Sequence, residues 1–418
     1  MSFSPALIRQ DFPIFERTVR EGKKLVYLDS GATSQKPHSV IEAESGFYKL
    51  HNAAVHRGAH QLAEEATDAY ENARLIVANF LNAPGGSDEI IFTKNATESL
   101  NLLAYSMGNA ESTNRFALKT GDRIVVSEME HHANLIPWQQ LCARTGAELA
   151  WFSVTPEGRL DLSAIDSVIT ANTKVVALTH QSNVLGTIIP LEAIVARAHA
   201  VGAVVVLDAC QSVPHMPVDV AALDIDFLSF SGHKTLGPTG IGVLWGRKNL
   251  LDELPPFLYG GSMIEYVTMT DATWAPAPAK FEAGVPNMAQ AVGLGAALNY
   301  LSTIGMENVH THELALTGYL LEGMRGIADL KLVGPTDTHS RGGAISFMVQ
   351  DIHPHDMGQY LDSQGVAVRT GHHCAWPLAK ALNVPASTRA SLYLYNDESD
   401  CDALLDGIVG AKKYFGRF

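Results

Sequence analysis

Short apolar strands alternate regularly with helices through the centre of this chain, and that alternation restricts its folds most. "DRIVVSE" (122–128) reads as a strand, "LIPWQQLCARTG" (135–146) as a helix ending at a glycine, and "AELAWF" (147–152) as a strand. "LSAIDSVI" (162–169) reads as a helix, "TKVVALTH" (173–180) as a strand, and "LEAIVARAHAVG" (191–202) as a second glycine-terminated helix. "AVVVLDA" (203–209), "DFLSF" (226–230) and "GIGVLWG" (240–246) follow as strands. The strands are β-branched and do not alternate with polar residues, as expected when helices cover both faces of a sheet. The pattern predicts an α/β fold with a mostly parallel, doubly wound sheet. Ligands of such sheets bind off the carboxyl ends of the strands. Polar residues gather there in four loops: "EMEHHAN" (128–134), "HQSN" (180–183), "DACQ" (208–211) and "SGHK" (231–234).

After about residue 300 the pattern changes. "GAISFMV", "HDMGQYLDSQG" and "VAVRTGHHCAWP" predict a smaller α+β unit. The expected organisation is a large domain over 31–300, a small C-terminal domain over 301–418 carrying a cysteine loop, and an N-terminal segment, 1–30, packed with the small domain. "ATWAPAPAK" reads as an exposed loop or hairpin within the large unit. A chain of 418 residues has room for two such units. Its net charge of −14 disfavours nucleic acid and anionic membrane as partners. No stretch reads as a membrane span or a secretory signal, and four scattered cysteines suit a reducing, cytoplasmic setting.

Lys234 stands among glycines and hydroxyls after the apolar run 226–230. The Walker spacing is absent, because His233 precedes Lys234 and no glycine stands where a P-loop requires one. A lysine in a turn is commonly a surface residue, but beside a buried strand, on a polar rim, an amine can form a Schiff base with an aldehyde. Pyridoxal phosphate is the obvious aldehyde. Its pyridine nitrogen needs a carboxylate, and Asp208 ends the apolar run "AVVVLD", although an aspartate there could also cap a helix. Gln211 could donate to the ring's phenolic oxygen. His131 or His132 could stack on the ring and shuttle protons near neutrality; a metal is the competing use, but no metal-ligand spacing accompanies the pair. Asn95, Thr97 and Ser99 precede an apolar helix whose first amides could hold a phosphate, with Ser231 and His233 completing the cradle; the same segment could simply be a cap. In "RTGHHCAWP" (369–377), Cys374 sits near Arg369, His372 and His373, an electropositive setting that favours thiolate. A metal-binding turn or an inert buried cysteine is the other reading.

Together these residues resemble the cysteine desulfurases of the class V aminotransferase family, in their SUF-type, group II branch. The resemblance runs nearly end to end through "DFPIF", "YLDSGATSQKP", "HRGAH", "TDAYENAR", "EMEHHANLIPWQ", "THQSNVLGT", "SGHKTLGPTGIGVLWG", "GGSMI", "FEAG", "RTGHHCA" and "RASLYLYN". It implies a fold-type I pyridoxal-phosphate homodimer that converts L-cysteine to L-alanine. A persulfide on Cys374 would then feed iron–sulfur cluster assembly. It assigns Lys234 to the cofactor imine and α-proton transfer, Asp208 to the pyridine nitrogen, Gln211 to the phenolic oxygen and His131 to ring stacking. Thr97, Ser231 and His233 go to the phosphate, and Asn183 and Arg389 to the substrate carboxylate. His56, Arg57, Arg369 and Glu98 are assigned to the substrate path; no metal site is implied. A selenocysteine lyase on the same scaffold is the alternative. Two positions depart from the family: Val285 stands where a threonine reaches the neighbouring subunit's phosphate, and Asp397 where the family has threonine. His355 in "DIHPHD" matches members served by a zinc-bearing, scaffold-like sulfur acceptor.

Overall fold

A computed structural model describes residues 3–416. Seven strands form the main sheet: β1 (Ile90–Thr93), β2 (Arg123–Ser127), β3 (Glu148–Phe152), β4 (Thr173–Thr179), β5 (Val204–Asp208), β6 (Phe227–Ser231) and β7 (Gly242–Gly246). Their spatial order is β1-β7-β6-β5-β4-β2-β3. The pairs from β6 across to β3 are parallel, and β7 runs antiparallel to both of its neighbours. The sheet is therefore mostly parallel, as the alternation predicts. Successive residues of each strand serve opposite cores. Val125, Val176, Val205 and Leu207 enter one apolar cluster, while Ile124, Val126, Val175, Val204 and Val206 enter the other. Burial on both faces explains why these strands read as unbroken apolar runs.

Helices α1 (His38–Leu50), α2 (Gln61–Phe80), α3 (Ala96–Gly108), α4 (Ile136–Thr145) and α5 (Leu191–Ala200) belong to this unit. At the end of α4, Gly146 is left-handed (φ 76°) and its N–H donates to the Cys142 carbonyl at 2.9 Å, the glycine stop visible in the sequence. The helix expected over 162–169 is only one turn, Ile165–Val168. No side chain caps it, and Ile169 is already extended.

Helix α6 (Met288–Ile304) packs on α1 and α2 and continues past residue 300. Gly305 (φ 87°) separates it from α7 (Met306–Arg325). A second sheet follows, with β8 (Leu330–Val333), β9 (Ala344–Val349), β10 (Arg369–Gly371) and β11 (Ser387–Ser391) all antiparallel in the order β8-β9-β11-β10. It packs through Ile345, Phe347 and Ala390 against Leu316 and Leu320 of α7, Leu361 of α8 (Pro354–Ser363) and Leu404 and Ile408 of α9 (Glu398–Tyr414). The N-terminal segment touches both units. Val26 and Tyr27 pair in parallel with Val366 and Ala367, and Arg9 binds Asp400 in α9 at 2.9 Å. Phe12 lies against Tyr300 of α6 and Tyr395. The segment 264–274 is a small hairpin, with Ile264–Val267 pairing Ala272–Trp274.

Candidate active site

A cavity of about 210 Å³, open at its mouth, lies off the carboxyl ends of β2, β4, β5 and β6. Its wall includes His131, Asn183, Asp208, Gln211, Ser231, His233 and Lys234 from the main sheet's loops, and Arg369, Cys374 and Arg389 from the second unit. The residues of the main sheet meet here because they lie at or just after the carboxyl ends of its strands, and Arg369, Cys374 and Arg389 come to the same rim from the second sheet and its loop.

Asp208 is the last residue of β5 and is buried. One of its oxygens accepts the Cys210 N–H at 3.0 Å, which leaves an acceptor for a ring cation. Gln211 donates one amide hydrogen to the Gly31 carbonyl at 2.7 Å. Lys234 ends a single 3₁₀ turn after β6, and among the described residues no carboxylate lies within ion-pair distance of it. That turn is fixed through the His233 carbonyl, which accepts from Ser34 N at 3.1 Å, Thr33 Oγ1 at 3.0 Å and Lys36 Nζ at 2.7 Å. Lys36 is half-buried among these carbonyls, and desolvation lowers it to about 7.

The N-terminus of α3 enters the same cavity through Asn95, Ala96 and Thr97. Gly242 on β7 permits this approach, since a Cβ there would lie 2.5 Å from the Asn95 Cα. Three residues offered for a phosphate cradle divide. Asn95 caps the helix, accepting Glu98 N–H at 2.9 Å. Ser99 is buried against Thr93, Oγ to Oγ at 2.8 Å, and does not line the cavity. Thr97 is exposed on the cavity wall beside Ser231, whose Oγ accepts the Ala96 N–H at 3.0 Å.

The histidines of the wall are neutral. Burial, then Lys234, lowers His131 to about 4, and burial with Lys234 and Lys36 does the same to His233. Burial with Arg389 and Arg369 takes His373 to about 3. The shifts of His131 and His373 run against the expectations that His131 shuttles protons near neutrality and that His373 adds positive charge beside Cys374. His131 Nδ1 accepts the Ala133 N–H at 3.0 Å, so the single ring proton of the neutral imidazole sits on Nε2.

Cys374 is exposed at the mouth, and both it and His373 are left-handed, at φ 58° and 53°. Two consecutive non-glycine residues in that region cost about 1–3 kcal/mol each. Hydrogen bonds hold them there: Asn183 Nδ2 to the His373 carbonyl at 2.7 Å, His132 N to the Cys374 carbonyl at 2.8 Å, and Trp376 N to His132 Nε2 at 3.1 Å. Arg389 is buried. Its Nη1 donates to the Asn183 carbonyl at 2.8 Å and its Nη2 to Asp29 at 3.3 Å, while its Nε has no partner. Such an orphaned donor at a cavity wall is a ready seat for a carboxylate. Arg369 reaches the same Asp29 at 3.3 Å.

His56, Arg57, Glu98 and Val285 stand outside this wall. His56 pairs with Glu71 at 2.8 Å, and Glu98 accepts the Lys94 N–H at 2.5 Å beside the α3 cap. Val285 is 73% exposed in a separate cleft. Residues that sequence reasoning passed over also serve the site. Lys36 and Asp29 were legible only as parts of the "YLDSGATSQKP" motif.

Residues 26–404 match the pattern of the class-V aminotransferases. This chain belongs to that family. The class-V aminotransferase architecture is the fold-type I pyridoxal-phosphate fold, and a free lysine, a buried acid and a helix N-terminus on one cavity fit that cofactor. The chain is 58% identical to a probable cysteine desulfurase of Streptomyces coelicolor, covering 98% of this chain and 97% of that protein. It is 48% identical to a cysteine desulfurase of Klebsiella pneumoniae over the whole of both chains. Among solved structures, the apo cysteine desulfurase of Thermococcus onnurineus superposes with a TM-score of 0.91 at 39% identity, covering 99% of this chain and 98% of that one. The crystal structure of the Escherichia coli cysteine desulfurase CsdA (S-sulfonic acid) gives 0.89 at 37% identity, covering 99% of this chain and 100% of that one.

Proposed function

We propose that this class-V enzyme is a cysteine desulfurase of the SUF-type, group II branch. It would convert L-cysteine to L-alanine and leave a persulfide on Cys374. The observation that carries the reading is that Lys234, Asp208, His131 and Cys374 line one cavity. Pyridoxal phosphate, when bound, supplies an aldehyde for amine capture and a sink for the electrons released at the substrate's α-carbon. Lys234 would hold it covalently, Asp208 would pair with its ring nitrogen, and Gln211 would reach its phenolic oxygen. Thr97, Ser231, His233 and the α3 amides would hold its phosphate.

Arg389, through its free Nε, and Asn183 bind the substrate carboxylate and so aim the thiol at the mouth. Lys234 removes the α-proton. Neutral His131 keeps one face of the site covered and presents its Nε2–H. Cys374 thiolate attacks the substrate sulfur. The new S–S bond forms as the Cβ–S bond breaks, and the electron pair stays with the three-carbon fragment, which takes a proton at Cβ and regains its α-proton from Lys234 to become alanine.

The relatives named above remove sulfur, which favours cysteine over selenocysteine as substrate. We place the enzyme in the cytoplasm, supplying iron–sulfur assembly; no described helix is long and apolar enough to cross a membrane. His56, Arg57 and Val285, which do not line their own chain's cavity, support a homodimer in which they serve the neighbouring site. The acceptor we favour is a zinc-bearing scaffold-like protein. His355 is exposed at the start of α8, and α8 packs on β10, which leads into the Cys374 loop.

The test is alanine and sulfide release from L-cysteine by the cofactor-loaded enzyme, with and without that acceptor. Lys234→Ala should lose the borohydride-reducible yellow band and all release. Cys374→Ala should keep the band and lose at least about 100-fold in rate. His355→Ala should slow only the acceptor-dependent rate. A colourless wild-type protein, or a Cys374→Ala variant as fast as wild type on cysteine, overturns the reading.

A further inference from the structure

The loop leaving β2 carries His131 between two residues whose side chains are joined. Glu130 is fully buried. Its Oε1 lies 2.5 Å from Ser127 Oγ, and its Oε2 accepts from Asn134 Nδ2 at 2.6 Å. Asn134 Oδ1 accepts the indole N–H of Trp138 at 3.0 Å, in the first turn of α4, and Ser127 Oγ accepts the Met129 N–H at 3.1 Å. All four side chains are buried, and among the described residues no Lys or Arg pairs with Glu130. A carboxylate sealed away with no counter-charge is costly, and here it is offset only by the donors Ser127 Oγ–H, Asn134 Nδ2–H and the Thr179 backbone. Burial, to which nearby Asp208 adds, raises Glu130 to about 8. The clasp from residue 130 to residue 134 closes around His131, whose carbonyl accepts the Asn134 N–H at 2.8 Å and whose Nδ1 accepts Ala133 N–H.

We propose that Glu130 is a positioning residue: clasped between Ser127 and Asn134, it fixes the plane and tautomer of His131 at the cofactor site. This rests on the reading of His131 as the group that covers the cofactor ring. Glu130 itself does not line the cavity. Its action is mechanical, and its charge is not required.

The experiment uses the cofactor-loaded full chain and reads circular dichroism in the cofactor's visible band, the pH midpoint of that band, and kcat against KM for L-cysteine. Glu130→Ala should weaken the dichroism and lower kcat by up to about 100-fold, the cost of a misplaced group, with KM little changed. Glu130→Gln keeps one donor and one acceptor in place and should restore dichroism, kcat and pH midpoint to wild type. Ser127→Ala, a milder cut in the same clasp, should fall between them and serves if Glu130→Ala does not fold. Wild-type dichroism and kcat in Glu130→Ala, or in Ser127→Ala where that variant stands in, overturns the proposal. So does a Glu130→Gln enzyme whose pH midpoint moves, because charge would then be the active property. His131→Ala with unchanged dichroism and kcat would instead overturn the reading of His131.

Discussion

His131, His233 and His373 are each held neutral by burial beside cations, at about 4, 4 and 3. In the unfolded chain all three titrate near 6.5. A base whose folded pKa is depressed binds fewer protons folded than unfolded, so its contribution is present above about 6.5 and is lost as pH falls through that value towards the folded one. Stability should therefore fall between about pH 6.5 and 4, with each histidine adding up to about 1.4 kcal/mol per pH unit to the slope. Urea denaturation across that range checks it. His373→Gln, which can still bond Ser387, should show a shallower fall, and an unchanged slope would remove His373 from the account. Much of the residue chemistry is legible in sequence, because Lys234, Asp208 and Cys374 occupy strand ends and a loop that pattern alone locates. The protonation of the histidines is not. Neutrality depends on burial and on cations from distant segments, such as Lys36 at His233 and Arg389 at His373, which no local reading of "EMEHHAN" or "RTGHHCA" contains.

Among the elements, the strands of the main sheet are legible because each is an apolar run ending in polar residues. The reversed β7 is not, since an apolar run carries no direction. The substitution at 397 also acquires a cause only once α9 has a starting point. Asp397 is the N-cap of α9: its Oδ1 accepts the Asp400 N–H at 3.2 Å while Asp400 reaches back to the Asp397 N–H at 3.4 Å. Threonine, expected there by resemblance, is also a favoured cap, so the departure exchanges one cap for another. Asp400 simultaneously binds Arg9 and Asn396, so the cap also ties the N-terminal segment to the last helix. Asp397→Ala should cost about 1 kcal/mol, and Asp397→Thr should restore most of it. Thermal unfolding of the three proteins, read as a ranking, is the check. An alanine variant as stable as wild type would deny the cap any energetic role.

At the scale of the whole molecule, the residues proposed for function lie in more than one place. Lys234, Asp208 and Cys374 face the chain's own cavity, whereas Val285 lies 73% exposed in a cleft with Glu98 and Asn287, and His56 is exposed outside the cavity wall. A polar network, buried at the Arg74 and Glu282 side chains and partly exposed at Glu71 and His56, ties these outer loops together. Arg74 binds Glu282, in the "FEAG" motif, and Glu71, and Glu71 in turn binds His56 at 2.8 Å. Such a network holds surface groups in fixed relation to one another, an expense with little purpose in a monomer whose cavity lies elsewhere. It is intelligible if a second copy receives them. Valine cannot donate a hydrogen bond, so a phosphate facing position 285 of a neighbouring copy loses one partner relative to threonine. Val285→Thr should therefore slow cofactor loss on dialysis, by up to about tenfold for one added hydrogen bond to a charged group. The gain must vanish at dilutions where sedimentation shows single chains, because within one chain residue 285 has no access to the cavity. A gain that persists in single chains would place the phosphate contact within the chain and refute the two-copy arrangement. No gain at any concentration would mean that position 285 does not meet the phosphate at all.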